Sequence, residues 1–264
     1  MSETSSPAVL EASGIGKRFG GVTALDGIDF SISAGEIVAL VGDNGAGKST
    51  LIKVLSGAMQ PDDGQIRHHG APVSLASPSA ARALGIETVY QDLALIGPLD
   101  IASNMFLGRE LRQKGFLSFL RMADEKRMAV EGQQHLESLG LTLPSIVRLP
   151  VESMSGGQRQ AVAIARASAS ASDLLIMDEP TAALGVAQSN AVLRLIRRVA
   201  ERGVAVILIT HTMPHVLAIA DRVVVLRRGS KVADLPREGL TADQLVSLIV
   251  GFDPDSAEAK DLVI

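Results

Sequence analysis

Cysteine and tryptophan are absent from the 264-residue chain, and tyrosine occurs once. The lack of thiols excludes a disulfide framework, a cysteine zinc site and thiol catalysis. Aromatic residues make up only 3% of the chain, so a base-stacking surface built from several aromatic rings is not expected. Alanine, valine, leucine and isoleucine must therefore form the core, which suits buried parallel strands covered by helices.

Long apolar runs and an excess of basic charge are also missing. No uncharged apolar run approaches the roughly 18 residues that cross a bilayer, and residues 1–7 lack the basic end and apolar centre of a signal peptide. The 25 basic and 29 acidic side chains leave a formal net charge of −4, without the basic excess of a general nucleic-acid binder. We therefore expect a soluble, intracellular protein that does not bind nucleic acid.

Strand and helix patterns alternate along the chain. Residues 27–33 alternate between apolar and polar, and the apolar run that follows Glu36 predicts a buried strand up to Val41. Strands that alternate with helices indicate an α/β fold with a mostly parallel sheet and helices on its faces. The later predicted elements are helices at about 157–169 and 187–202 and strands at 174–177, 204–209 and 223–226.

The middle of the chain, from residue 92 to about 153, has a different character. Met122–Leu139 is charged and has a helical pattern, and Gly140 is placed to end the helix. We interpret this segment as a small helical subdomain inserted into the α/β body. The polar ends, residues 1–7 and 253–264, are expected to be flexible tails.

A glycine-rich loop connects the strand ending at Val41 to a predicted helix. It fits the pattern G-x-x-x-x-G-K-[ST], in which glycines let backbone N–H groups surround a polyphosphate at a helix N-terminus. Lys48 can reach the β- and γ-phosphates of a nucleotide, and the Ser49 hydroxyl can ligate Mg²⁺. The predicted nucleotide-binding residues are Gly42, Asp43, Asn44, Gly45, Ala46, Gly47, Lys48, Ser49 and Thr50.

Two adjacent carboxylates, Asp178 and Glu179, end the apolar strand that begins at Leu174. Because neighbours on a strand point in opposite directions, we expect the two side chains to do different work. Asp178 would bind Mg²⁺, as the acidic residue of P-loop NTPases does, and Glu179 would orient the attacking water.

Met154 is followed by Ser155, Gly156, Gly157 and Gln158 at the start of a helical stretch. With the two motifs above, this segment resembles the signature of the ATP-binding-cassette (ABC) family, with Met154 in place of the usual leucine. The resemblance extends over about residues 9–250. It implies that the signature of one subunit closes over the nucleotide held by the other, and a Ser-Gly-Gly helix start is suited to an anion.

The resemblance assigns further residues one at a time. Gln91 resembles the Q-loop glutamine that contacts Mg²⁺ and links the site to the helical subdomain. His211 resembles the switch histidine that contacts the γ-phosphate, and Phe19 resembles the aromatic residue that stacks on adenine. His211 and His215 are four residues apart, as in the zinc pair of a metalloprotease. We reject a metalloprotease, because no glutamate follows His211 and Pro214 interrupts the helix.

One residue departs from the family pattern. Gly185 stands where most ABC ATPases carry an aspartate after the Thr181–Leu184 segment, which opens the alternative of a regulatory ATP binder without turnover. The fold expected from the resemblance is a single cassette at residues 8–252. Its α/β body covers about 8–91 and 160–252, with an N-terminal antiparallel β part and a helical subdomain at 92–159.

The resemblance also implies a transport role. The segments Gly85–Ile96 and Asn104–Glu110 are similar to those of monosaccharide importers of the fructose, ribose and xylose type. Such a cassette would use ATP and Mg²⁺ as a homodimer at the cytoplasmic face of the membrane. Its partners would be a separate permease and, indirectly, a sugar-binding protein outside the cell. The alternative is a soluble ABC ATPase that acts on ribosomes or DNA.

Overall fold

A computed structural model of the chain describes residues 8–113, 122–141 and 149–251. The predicted tails and two stretches of the predicted helical subdomain lie outside these residues. The strands are β1 (Ala8–Phe19), β2 (Val22–Ser33), β3 (Ile37–Val41), β4 (Asp63–His68), β5 (Ala71–Val73), β6 (Ile86–Val89), β7 (Leu174–Asp178), β8 (Ala205–Ile209), β9 (Arg222–Arg227) and β10 (Ser230–Pro236). The helices are α1 (Lys48–Leu55), α2 (Pro78–Ala83), α3 (Ile101–Met105), α4 (Glu125–Ser138), α5 (Gly156–Ser168), α6 (Val186–Glu201), α7 (Met213–Ile219) and α8 (Ala242–Val250).

The larger sheet has the strand order β10-β9-β3-β8-β7-β6, and it is parallel except for β10. Every residue of β3 and β8 is buried, because helices or the second sheet cover both faces. Successive side chains of one strand therefore enter different cores: Leu175 packs with α5 and α6, whereas Ile176 packs with α1. The predicted α/β fold with a mostly parallel sheet is confirmed.

The smaller sheet is antiparallel, with the order β2-β1-β4-β5. The pattern at residues 27–33 identified only the second half of β2, and β1 was not identified at all. Several register shifts interrupt the pairing of β1 with β2. Each shift breaks the alternation that marks a half-buried strand, so the pattern is regular only over short stretches. The apolar faces of this sheet, including Leu10 and Ile28, close one of the cores of the larger sheet.

The helical part is organised around α3, α4 and the start of α5. Asn104 is fully buried, and its side-chain amide donates to the carbonyls of Ile96, Leu99 and Asp100. Its Oδ1 accepts from the Ile96 N–H at 2.8 Å, so this one buried side chain holds the loop before α3 against the helix. Gly140 follows α4 with a φ of +64°, in agreement with its predicted role in ending that helix.

Arg222 connects the two sheets. Its guanidinium donates to Glu36 and Asp234 next to the larger sheet and to the carbonyl of Ser31 on β2. This arrangement fixes the antiparallel sheet beside β3, whose C-terminal end leads into the phosphate loop. None of the helices in the described part of the chain is both long and apolar enough to span a bilayer.

Candidate active site

The glycine-rich loop connects β3 to α1, as its sequence predicts. Gly47 caps α1 in the left-handed region, with a φ of +105°, and no side chain in the described part of the chain caps this helix. The first N–H groups of α1 are therefore left for a ligand. Gly42 and Gly47 also lie against backbone: a Cβ on Gly42 would be 2.2 Å from the Leu226 carbonyl oxygen, and one on Gly47 would be 2.7 Å from that of Ala24.

Lys48 lies within this loop and is held by it. Its Nζ donates to the carbonyls of Gly42 at 2.6 Å and Asp43 at 2.9 Å. Burial lowers the pKa of Lys48, while the carboxylates of Glu179, Asp43 and Asp178 oppose this shift. The ammonium group is therefore placed among negative charges, and a polyphosphate in the loop would supply more of them.

Asp178 and Glu179 line the same cavity, contrary to the prediction that their side chains point in opposite directions. β7 ends at Asp178, and Glu179 has a φ of +50°, so the alternation of a strand does not extend to Glu179. The Glu179 N–H donates to the Ile209 carbonyl at 2.9 Å, which fixes this turn against the neighbouring strand β8. A non-glycine residue in the left-handed region is strained, and such strain often occurs at functional sites.

The two carboxylates have different surroundings. Burial raises the pKa of Asp178, the nearby Glu179 charge raises it further, and Lys48 lowers it. Glu179 Oε1 lies 2.8 Å from His211 Nδ1, whereas His215 Nδ1 lies 3.0 Å from the Thr181 hydroxyl. The two histidines thus have separate partners.

The cavity has a volume of about 800 Å³ and unites most of the predicted site. Phe19 lines it and is 47% exposed, and Gln91, two residues after the end of β6, also lines it. Ala24 and Ile209 also line the cavity and were not predicted, because only the folded chain brings them to the loop. The predicted residues that line it are Phe19, Gly42, Asp43, Asn44, Gly45, Ala46, Gly47, Lys48, Ser49, Thr50, Gln91, Asp178, Glu179 and His211.

The predicted signature lies elsewhere in the chain. Ser155–Gln158 do not line the cavity but begin α5, with Ser155 as its N-cap. The Ser155 hydroxyl accepts from the Gln158 N–H, and the Gln158 side chain accepts from the Ser155 N–H at 2.9 Å. Gly157 packs close to Gln188, whose side chain accepts from the Gly185 N–H at 3.0 Å. The unusual Gly185 therefore caps α6 beside the signature.

The cavity contains a set of oxygen donors that fits Mg²⁺. The Ser49 hydroxyl, the Asp178 carboxylate and the Gln91 amide all line it. Hard divalent cations prefer such ligands, and Mg²⁺ is usually bound by one or two protein groups together with substrate phosphates.

A phosphate loop, two carboxylates and a histidine at the ends of parallel strands define a P-loop ATPase cassette. The ABC transporter family profile matches residues 25–182, and the chain belongs to this family. It is 48% identical over 252 residues to the fructose import ATP-binding protein FrcA of Rhizobium meliloti, covering 95% of this chain and 97% of that protein.

Other relatives have similar names. The xylose/arabinose import ATP-binding protein XylG of Sulfolobus acidocaldarius is 45% identical over 244 residues, with 92% of this chain and 94% of that protein covered. The ribose import ATP-binding protein RbsA 1 of Rubrobacter xylanophilus is 43% identical, and the match covers 92% of this chain but only 47% of that protein.

Solved structures agree with the fold. A nucleotide-free ATP-binding cassette from an ABC transporter matches with a TM-score of 0.76 at 25% identity, covering 94% of this chain and 96% of that one. The ADP conformation of another such cassette gives a TM-score of 0.77 at 25% identity, with coverages of 96% and 98%. The predicted family and fold are thus confirmed.

Proposed function

We propose that the chain is the ATP-hydrolysing subunit of an ABC importer for a monosaccharide of the fructose, ribose or xylose type. The observation that carries this proposal is one cavity in which Lys48, Asp178, Glu179 and His211 meet at the phosphate loop. The names of the relatives support import of a sugar, and they favour it over action on ribosomes or DNA.

The reaction needs positioning and charge neutralisation rather than a covalent intermediate. The loop N–H groups and Lys48 hold the β- and γ-phosphates. Glu179 orients the attacking water, and His211, 2.8 Å from that carboxylate, fixes its direction and contacts the γ-phosphate. Ser49, Asp178 and Gln91 would hold a Mg²⁺ ion, which would neutralise charge on the phosphate oxygens.

The second half of the site comes from another copy of the chain. Ser155–Gln158 begin a helix but do not line the phosphate cavity of their own chain, although such a helix start suits an anion. In a head-to-tail homodimer, each signature covers the nucleotide of the partner. ATP that binds the closed dimer more tightly than the open one drives closure.

The closure of the dimer is transmitted to a membrane permease through a groove beside Gln91. This groove has a volume of about 640 Å³ and lies between the α/β body and the helical part. Its rim carries the exposed apolar side chains of Tyr90 and Leu107, and Arg109 and Arg166 line its wall. An amphipathic helix of a permease fits such a surface. The chain then works at the inner face of the membrane, and a sugar-binding protein outside the cell delivers the substrate.

Replacement of the water-orienting carboxylate tests the proposal. The chain, purified from its native membranes, should release phosphate from ATP in a Mg²⁺-dependent way and co-purify with a polytopic membrane protein. Glu179→Gln should retain ATP, the dimer and the membrane protein but lose turnover by about 10²- to 10⁴-fold, the usual contribution of a general base.

Glu201→Gln is the matched control, because Glu201 is an exposed residue at the end of α6. It should hydrolyse ATP at the wild-type rate. Unchanged hydrolysis in Glu179→Gln would refute the assignment of the base. Absence of Mg²⁺-dependent release in the wild type would favour the regulatory alternative, and repeated purification without a membrane protein would contradict the import role.

A further inference from the structure

A cluster of two histidines and one aspartate, none of which lines the phosphate cavity, lies at the junction of the two sheets. His68 ends β4, His69 follows it, and Asp173 directly precedes β7. His68 Nε2 lies 2.7 Å and His69 Nε2 lies 2.6 Å from the same oxygen, Asp173 Oδ2. Each of the three side chains therefore offers one potential ligand atom, and these atoms lie within 4.8 Å of one another.

The hydrogen bonds of the cluster are incomplete. His68 Nε2 is inaccessible to solvent and faces Asp173 Oδ2 at 2.7 Å, in an orientation outside the limits of a regular hydrogen bond. The neighbouring His69 and Gly70 have φ of +48° and +76°, as a two-residue hairpin turn between β4 and β5 requires, and this turn brings the His69 ring to the same oxygen. Two imidazole nitrogens and one carboxylate oxygen therefore converge on one point.

The backbone and an outer group hold the cluster in place. The His69 N–H donates to the Val9 carbonyl at 2.9 Å, and the Asp173 carbonyl accepts from the Ala205 N–H at 2.9 Å. The Ser172 hydroxyl donates to Asp173 Oδ1 at 2.8 Å, which leaves Oδ2 for the histidines. Metal-binding carboxylates are usually oriented by such an outer hydrogen bond.

We propose that His68, His69 and Asp173 form a binding site for a divalent transition metal of the zinc class. Two imidazole nitrogens and one carboxylate oxygen match the ligands of Zn²⁺, whereas Mg²⁺ and Ca²⁺ prefer oxygen alone. Metal–nitrogen bonds of about 2.0–2.1 Å require tetrahedral ligands about 3.3 Å apart, so each imidazole must move outward slightly. The His69 side chain is 54% exposed and has room for this movement.

With three protein ligands, the fourth coordination position of a bound zinc ion would be occupied by water. The site would act as a clamp between the antiparallel sheet, which carries the histidines on and after β4, and the larger sheet, which carries Asp173 before β7. It is independent of the nucleotide site, so ATP hydrolysis should not require it.

Zinc binding by the full-length, untagged protein without nucleotide tests the site. Equilibrium dialysis near pH 7.5, with zinc quantified by atomic emission, should find one bound zinc per wild-type chain. His69→Asn should bind this zinc with at least a tenfold weaker affinity. Asp173→Asn should lose the same zinc. His211→Asn is the control, because His211 belongs to the phosphate cavity and is also exposed, and it should retain this zinc.

Two further measurements distinguish a built site from surface binding. Cobalt(II) should give visible absorption typical of a tetrahedral site in the wild type and in His211→Asn, but not in His69→Asn. Zinc should also raise the midpoint of thermal unfolding of the wild type and not that of His69→Asn, with ATP hydrolysis similar in both. Zinc binding that is equal in the wild type and His69→Asn, or absent from the wild type, would overturn the proposal.

Discussion

The ionised form of the Asp178 carboxyl is disfavoured by its surroundings. Burial and the adjacent Glu179 raise its pKa above the ordinary value of 3.8. The folded chain therefore binds the proton more tightly than the unfolded chain. The Asp178 contribution to stability is present at low pH and is lost as the pH rises through the folded pKa.

Asp178→Asn should accordingly raise the midpoint of thermal unfolding of the nucleotide-free protein at pH 7. The gain should shrink as the pH falls towards 3.8, where the wild-type carboxyl is protonated in the folded state. The same variant should lose Mg²⁺-dependent hydrolysis. Asp26→Asn, at an exposed position, is the control and should change neither property. A lower unfolding midpoint for Asp178→Asn at pH 7 would contradict this account.

Individual residues also show where prediction from sequence ends. Contiguous motifs predicted Lys48, Asp178 and Glu179, whereas His211 was assigned through the family resemblance, and all four line one cavity. The directions of Asp178 and Glu179 were predicted wrongly, because a strand pattern assumes extended backbone and Glu179 has a positive φ. The proximity of His69 to Asp173, 104 residues later, depends on how two sheets pack and leaves no local signal.

At the scale of elements, the phosphate loop is specified by where its glycines lie. Gly45 and Gly47 both have positive φ, at +82° and +105°. A Cβ on Gly45 would meet no atom of the described residues within 4 Å, whereas one on Gly47 would meet the Ala24 carbonyl oxygen on β2 at 2.7 Å. Two substitutions in this loop can therefore separate the energetic cost of the left-handed backbone conformation from that of the close contact with β2.

Gly45→Ala should destabilise the chain by about 1–2 kcal/mol, the cost of a left-handed non-glycine residue. Gly47→Ala should cost about 1–3 kcal/mol more, because the loop must also move away from β2. Urea unfolding of the two variants measures this difference. Equal losses would mean that contact with Ala24 does not constrain the loop.

The elements themselves were predictable in proportion to their regularity. The strands β3, β7, β8 and β9 were predicted nearly to their ends, since burial on both faces gives each of them an uninterrupted apolar run of at least four residues. β1 was missed because register shifts and Gly14 and Gly16 interrupt its alternation. Short helices such as α2 and α7, with six and seven residues, are too brief for a helical period to be recognised.

At the scale of the whole molecule, the proposed dimer divides each site between two chains. Lys48→Met removes the phosphate-loop cation, and Gly156→Asp puts a negative charge where the partner's γ-phosphate would lie. An acidic residue in the first turn of α5 is favourable for the helix, so Gly156→Asp should still fold. Each variant alone should be inactive.

A mixture of the two inactive variants should regain activity. In a head-to-tail pair, Lys48→Met supplies an intact signature to the intact phosphate loop of Gly156→Asp, which restores one of the two sites. Random pairing makes half of the dimers mixed, so turnover should reach roughly a quarter of the wild-type value. Wild type mixed with the double variant Lys48→Met/Gly156→Asp should show no such gain, because each site in that pair keeps one defective half. If the two inactive variants stayed inactive together, while crosslinking showed that they pair, the site would not be shared between chains.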